Sequence, residues 1–143
     1  MTSLLRSLSP WLLALAATPW LPFSPAASAA ELCSDAPSTV AETGCVRNAL
    51  QAADRRLETA LARVVSEARS VPGATFAALW RDNLTGLYRT SADPQQQAEA
   101  FRSERRQVCA FAKSVGFQGT GYGIATTRCE LALTETLLQQ LKP

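Results

Sequence analysis

Apolar residues recur at steps of three and four along much of the chain, the spacing that places side chains on one face of an α-helix. The longest such series runs over residues 46–68 and stops before the Val-Pro-Gly sequence at 71–73, which predicts a helix end. Upstream, residues 31–44 predict an irregular entry, with Pro37 and Gly44 as breakers. The apolar positions of this first helix are Val46, Leu50, Ala53, Leu57, Leu61, Val64 and Ala68.

Two further series follow. A weaker one predicts a short helix around Trp80, although Gly86 is unfavourable there. Asp93 and Pro94 then predict the start of a third helix, with Asp93 as its cap and Pro94 in its first position. Arg105 lies within the otherwise apolar face of this helix. The second series is Phe76, Trp80, Leu84 and Leu87, and the third is Ala98, Phe101, Arg105, Val108, Ala112 and Val115.

Four of the seven glycines fall within residues 116–123, which predicts a loop. Thr126 or Thr127 then caps a final helix. Its apolar residues are Cys129, Ala132, Leu133, Leu137 and Leu141. With no strand pattern and no repeat, the chain predicts an all-α fold, a small bundle of three or four helices stabilised by disulfides.

The first thirty residues have the composition of a secretory signal peptide. Arg6 is the only charged residue before Glu31, an apolar run begins at Trp11, and Ala27-Ser28-Ala29 has the small-x-small pattern of a cleavage site. We therefore expect a signal peptide at residues 1–29 and a single domain at residues 30–143. The apolar run is too short and too rich in proline for a membrane anchor. These features predict a periplasmic or secreted protein.

An exported chain with four cysteines is expected to form disulfides. Four cysteines allow three connectivities, and the sequence alone does not choose among them. We favour Cys33–Cys45 and Cys109–Cys129 because each bond would close a short local loop. The spacings include no Cys-x-x-Cys pair, so a zinc site is not expected.

The chain of 143 residues contains no histidine, which excludes Ser-His-Asp and Cys-His catalysis and any His-ligated metal site. The formal charge of +2 is too small to indicate either nucleic acid or a membrane surface as a partner. The glycine-rich loop lacks the phosphate-binding pattern, and we expect neither cofactor nor metal. Asp54 and Glu58 lie four positions apart, which suggests a carboxylate pair as in glycosidases. A solvated helix face balanced by Arg55 and Arg56 explains them more simply.

Phe117, Gln118 and Tyr122 are the candidate contacts for a protein partner. They lie in or beside the glycine-rich loop, which a Cys109–Cys129 bond would hold at its base. A restrained loop loses less entropy on binding, and binding residues are often found on loops of rigid scaffolds. The alternative is that Phe117 packs into the bundle and the glycines only form the turn.

The residues around the cysteines resemble the LprI-type lysozyme-inhibitor family of small exported bacterial proteins. An Ala-Asp-x-x-Leu sequence follows Cys45, an arginine lies four positions before Cys109, and Phe101 replaces a tryptophan common in the family. The matching positions are Cys45, Ala53, Asp54, Leu57, Arg105, Cys109, Cys129 and Thr134. The chain departs from the family at Glu58, Leu61 and Leu137.

This resemblance implies the same local disulfide pairing and a non-catalytic protein that binds and inhibits lysozyme. The residues themselves suggest that Asp54 and Arg105 form a structural ion pair across the bundle. Removal of Arg6 with the signal peptide leaves 13 basic and 12 acidic residues, so a net charge of +1 gives no steering toward the commonly basic animal lysozymes. Two alternatives remain: a periplasmic interaction or envelope-stress module without lysozyme activity, and an enzyme acting on cell-wall glycans through Asp54 and Glu58.

Overall fold

The computed structural model describes residue 31 and residues 33–142, so the predicted signal peptide lies outside the described residues. Four α-helices form the fold, which confirms the all-α prediction, and no strand occurs within this part of the chain. A π-helical turn directly follows the second helix. The helices are α1 (Thr39–Ser70), α2 (Phe76–Asp82), α3 (Pro94–Lys113) and α4 (Tyr122–Gln140), and the π-helical turn is Asn83–Leu87.

Helix α1 begins at Thr39, so the predicted irregular entry is confirmed for residues 33–38 and was wrong for residues 39–44. Ser38 is its N-cap, and its hydroxyl oxygen accepts a hydrogen bond from the backbone N–H of Ala41 (3.2 Å). Gly44 lies in the second turn of α1 and is exposed. A glycine there destabilises the helix by about 1 kcal/mol relative to alanine, which is small beside the packing energy of a 32-residue helix. The Cys33–Cys45 disulfide ties the preceding segment to this first part of α1.

The core lies where α1 packs against α3 and, more extensively, against α4. The predicted apolar face of α1 is the face that the helix buries, with Ala60 as an additional member. The buried residues of α1 are Val46, Ala53, Leu57, Ala60 and Ala68. The second disulfide, Cys109–Cys129, joins α3 to α4, and Cys109 is fully buried.

Helix α3 begins as predicted. The Asp93 carboxylate accepts from the backbone N–H groups of Gln95 (2.8 Å) and Gln96 (3.3 Å), and Pro94 occupies the first helical position. The predicted burial of Val108 and Val115 was wrong, because both are exposed. At 3.6 residues per turn, Val108 is rotated by roughly 80° from the buried line of α3. That line consists of Ala98, Arg105 and Cys109. Val115 lies beyond the end of α3, in the 3₁₀ turn Ser114–Gly116.

Helix α4 begins at Tyr122, so the predicted caps Thr126 and Thr127 lie inside the helix. Their hydroxyls donate to the carbonyls of Tyr122 (2.6 Å) and Gly123 (2.8 Å), one turn earlier. The predicted loop is correspondingly shorter. The buried face of α4 also differs from the apolar face predicted from the sequence, because two of its four buried residues are polar. These members are Ile124, Glu130, Leu131 and Thr134.

The segment formed by α2 and the π-helical turn packs against α1. Trp80 and Leu84 are half-buried and line a cavity of about 210 Å³ beside α1, whereas Phe76 is exposed. The sequence correctly placed a short helix here. No helix within the described residues has the length and apolar character needed to cross a membrane.

Candidate functional site

A buried arginine joins three of the four helices. Only 2% of the Arg105 side chain is exposed, and its Nη1 and Nη2 atoms donate to the two carboxylate oxygens of Asp54, with Nη2–Oδ2 at 2.8 Å. Nη1 also donates to the Thr134 hydroxyl (2.7 Å), and Nε donates to Glu130 Oε2 (3.3 Å). The Phe101 ring lies beside the guanidinium, with its centroid 5.6 Å from Cζ. The structure therefore brings Asp54 and Arg105 together in the bundle.

The guanidinium remains positively charged despite its burial. Burial by itself lowers the pKa of Arg105, but hydrogen bonds and Coulombic attraction from Asp54 and Glu130 outweigh it, and the pKa is raised. A buried charge requires such partners, and the four hydrogen bonds to protein atoms already occupy most of the guanidinium donors. This arrangement is suited to holding α1, α3 and α4 in register.

The carboxylates of Asp54 and Glu58 do not form the pair that a glycosidase would need. Asp54 is engaged by Arg105, whereas Glu58 accepts from Arg102 Nη1 (2.6 Å). Glu58 lines an open groove of about 370 Å³ with Glu99 and Arg102, and Asp54 is not among its lining residues. Within the described residues no group of acidic or cysteine side chains is placed to hold a metal ion. The geometry thus offers little support for glycan hydrolysis at these residues.

An exposed apolar surface covers the end of α3 and the turn after it. We call it the α3-end surface and define it as Val108, Phe111, Val115 and Phe117. The last three side chains are respectively 83%, 100% and 65% exposed. Val108 and Phe111 are three positions apart and lie on one side of α3, and Val115 follows in the 3₁₀ turn Ser114–Gly116. Clusters of exposed aromatic and aliphatic side chains often mark protein-binding sites.

The three candidate partner contacts have different surroundings. Phe117 and Gln118 are both exposed in the turn between α3 and α4. Tyr122 lies in the first turn of α4 and is half-buried, and its hydroxyl donates to the carbonyl of Ala110 (3.1 Å). Tyr122 therefore positions the turn against α3, while Phe117 and Gln118 face solvent.

Sequence reasoning did not identify Phe111 as a surface residue and placed Val115 in the core. The available signal was their rotation away from Arg105 and Cys109 on a helical projection. This rotation is informative only if Arg105 and Cys109 are first recognised as buried residues, and a search for apolar side chains does not select an arginine.

Several bonds restrain the turn. The backbone N–H of Phe117 donates to Ser114 O (3.1 Å), and that of Gly119 donates to Gly116 O (2.9 Å). Any Cβ at Gly119 would lie only 3.3 Å from Gly116 O, which favours glycine at this position. Together with the Cys109–Cys129 disulfide, these bonds restrain the backbone of the turn that carries Phe117.

The fold, the two disulfides and the buried arginine cluster define a small helical module within the described residues. The chain belongs to the family described as lysozyme inhibitor LprI, whose model matches residues 33–141. The matched range, residues 33–141, contains the residues of both disulfides, of the Arg105 cluster and of the α3-end surface. No curated protein and no solved structure matches the chain.

Proposed function

We propose that this protein binds and inhibits a lysozyme without catalysing a reaction, and that the α3-end surface makes the contact. The observation that carries this proposal is an exposed apolar cluster on a disulfide-linked support, in a chain that belongs to a lysozyme-inhibitor family. Phe111 and Phe117 supply the large side chains that dominate binding energy in protein interfaces. The restrained turn reduces the entropy lost on binding.

The surface has the chemistry to fill a glycan-binding cleft. Ligand-binding clefts are concave and present apolar and aromatic side chains, and glycosidases place two carboxylates beside the bond that they cleave. Lys113 and Val115 line a groove of about 390 Å³ beside the turn, so a cation lies near one member of the α3-end surface. Phe117 would occupy part of the sugar site while Lys113 approaches a carboxylate, and substrate would be excluded by steric blockage.

We further propose that the protein is exported to the periplasm or secreted, after cleavage of residues 1–29. The remaining residues 30–143 then form one domain with both disulfides. An oxidising compartment is where structural disulfides persist and where a lysozyme would be met.

The direct experiment is a titration of the oxidised mature protein against animal-type and goose-type lysozymes in a cell-wall clearing assay. We expect stoichiometric loss of lysozyme activity. Phe117→Ser should weaken inhibition at least about tenfold, the effect of losing an interface hot spot. Leu79→Ser is the matched control, because Leu79 is similarly exposed but lies on α2.

A second candidate is a protein-interaction or envelope-stress module that retains the fold without lysozyme activity. The net charge of +1 favours it, since a cationic protein gains no electrostatic steering toward a basic lysozyme. No inhibition at large molar excess of folded, oxidised protein would reject the inhibitor proposal for the lysozymes tested and favour this module.

A further inference from the structure

A second surface, distant in sequence from the α3-end surface, is strongly basic. It is a groove of about 540 Å³ between α1 and the end of α4, and we call it the α1–α4 groove. No aspartate or glutamate is among its lining residues, and two leucines lie beside its cations. The residues that matter to its chemistry are Arg55, Arg56, Arg63, Leu138, Leu141 and Lys142.

Two of its arginines are already held in place. Arg56 is paired with the Glu135 carboxylate, and Arg63 donates to the carbonyl of Leu141 while lying 3.4 Å from Glu67. These contacts restrict side chains that would otherwise lose conformational entropy on binding a ligand.

The other two cations, Arg55 and Lys142, form no ion pair with any described residue. Glu135 and Glu67 offset the charges of Arg56 and Arg63, but the charges of Arg55 and Lys142 have no acidic partner among residues 33–142. The groove is therefore suited to an anion.

The combination of cations and leucines favours a ligand that carries both a negative charge and an apolar part. Arginine presents a planar set of donors that matches phosphate, and lysine adds a compact charge. Leu138 and Leu141 offer apolar contact directly beside these donors. A soluble inorganic phosphate would leave the leucines unused, whereas a phospholipid presents a phosphate and apolar chains together. Basic and apolar side chains are paired in the same way on proteins that lie at a membrane surface.

We propose that the α1–α4 groove binds the phosphate headgroup of an anionic lipid and places this side of the protein on a membrane surface. Attachment is peripheral, since no described helix is suited to crossing a membrane. The proposal concerns a site separate from the lysozyme contact and does not depend on that activity.

The test is co-sedimentation of the oxidised mature protein with vesicles of phosphatidylglycerol mixed with phosphatidylcholine, compared with vesicles of phosphatidylcholine alone. We expect binding only to the anionic vesicles and a decrease as salt is added. The double variant Arg55→Gln with Lys142→Gln should lower the partition coefficient roughly thirtyfold, from the known effect of basic residues near an anionic surface. Glutamine has nearly the helix propensity of arginine, so the fold should be retained.

The matched control is Arg47→Gln with Arg81→Gln, which removes the same charge at two exposed positions outside the groove. Its binding should fall much less. Equal losses in the two double variants would overturn the proposal, because they would indicate attraction by net charge alone. Absence of binding to the anionic vesicles would also overturn it. Inorganic phosphate added at the concentration of the lipid phosphate should not displace the protein from the anionic vesicles. Displacement at that concentration would overturn the assignment of the ligand as a lipid.

Discussion

Arg105 on α3 donates to both carboxylate oxygens of Asp54 on α1, although 51 positions separate the two residues in the sequence. This pairing fixes both the distance between the helices and their rotation, because a planar guanidinium meets a carboxylate in one plane. The Glu130 carboxylate and the Thr134 hydroxyl extend the same contact to α4. The interior is thus organised around an ion cluster as well as around apolar side chains.

Arg105→Ala should destabilise the fold strongly, because it leaves the Asp54 and Glu130 carboxylates without their common partner. Breaking one side of a buried ion pair costs about 3–5 kcal/mol. For a domain of this size we expect the melting temperature to fall by roughly 10–20 °C, measured by circular dichroism with the disulfides intact. Arg106→Ala is the control, since Arg106 is exposed and should shift stability by no more than about 0.5 kcal/mol. Similar small shifts in both variants would contradict a structural role for Arg105.

Thr134 tests the contribution of a single hydroxyl in the same cluster. Its side chain is fully buried, accepts from Arg105 Nη1 and donates to the Glu130 carbonyl (2.8 Å). Thr134→Val keeps the shape but removes both bonds, so we expect a loss of about 1–3 kcal/mol in the free energy of unfolding. Thr134→Ser retains the hydroxyl and should lose less. Urea denaturation would distinguish them by the transition midpoint at an unchanged m value. A serine variant no more stable than the valine variant would contradict the prediction.

The sequence was most informative where apolar spacing and helix caps acted together. The buried face of α1 and the start of α3 at Asp93-Pro94 were both predicted from such local signals. The prediction failed where burial is polar: Glu130 and Thr134 form part of the inward face of α4, and no apolar pattern marks them. Their burial depends on Arg105, a partner on another helix. The exposure of Phe111 was not predicted for the same reason, because the buried face of α3 is defined by Arg105 and Cys109 and not by an apolar pattern.

The two disulfides should contribute differently to stability. Cys109 is fully buried and bonded to Cys129 between two core helices, whereas Cys45 is exposed and bonded to Cys33 ahead of α1. Both loops are short, so the chain-entropy contribution is about 3 kcal/mol in each case. Replacing the buried pair by alanine also disturbs packing, and we expect the larger loss of stability there, measured by urea denaturation.

The two disulfides should also differ in their effect on lysozyme inhibition. Loss of Cys109–Cys129 should weaken inhibition because this bond supports the α3-end surface. Loss of Cys33–Cys45 should leave inhibition close to that of the unmodified protein under conditions where both variants remain folded. The reverse order would place the lysozyme contact at the N-terminal end of α1.

Processing of the N-terminal segment can be checked on protein recovered from the periplasm or the medium. We expect intact mass measurement to place the mature N-terminus at Ala30 or Glu31, after the small-residue sequence Ala27-Ser28-Ala29. Arginine at both Ala29 and Ala30 should block cleavage after either residue, because the residue before the cleaved bond must be small. Full-length protein bearing residues 1–29 in the exported fraction would contradict the proposed signal peptide.

Variants of Phe117 and Tyr122 should distinguish a residue that contacts lysozyme from one that only stabilises the contact surface. Phe117 is 65% exposed, so Phe117→Ala should leave the melting temperature nearly unchanged while weakening inhibition at least about tenfold. Tyr122→Phe removes the bond to the Ala110 carbonyl and should cost about 1 kcal/mol of stability. Its ring remains in place, so inhibition should fall less than in Phe117→Ala. Thermal unfolding and a lysozyme titration on the same preparations measure both effects. Greater loss of inhibition in Tyr122→Phe would mean that the tyrosine hydroxyl, rather than the Phe117 ring, controls contact with lysozyme.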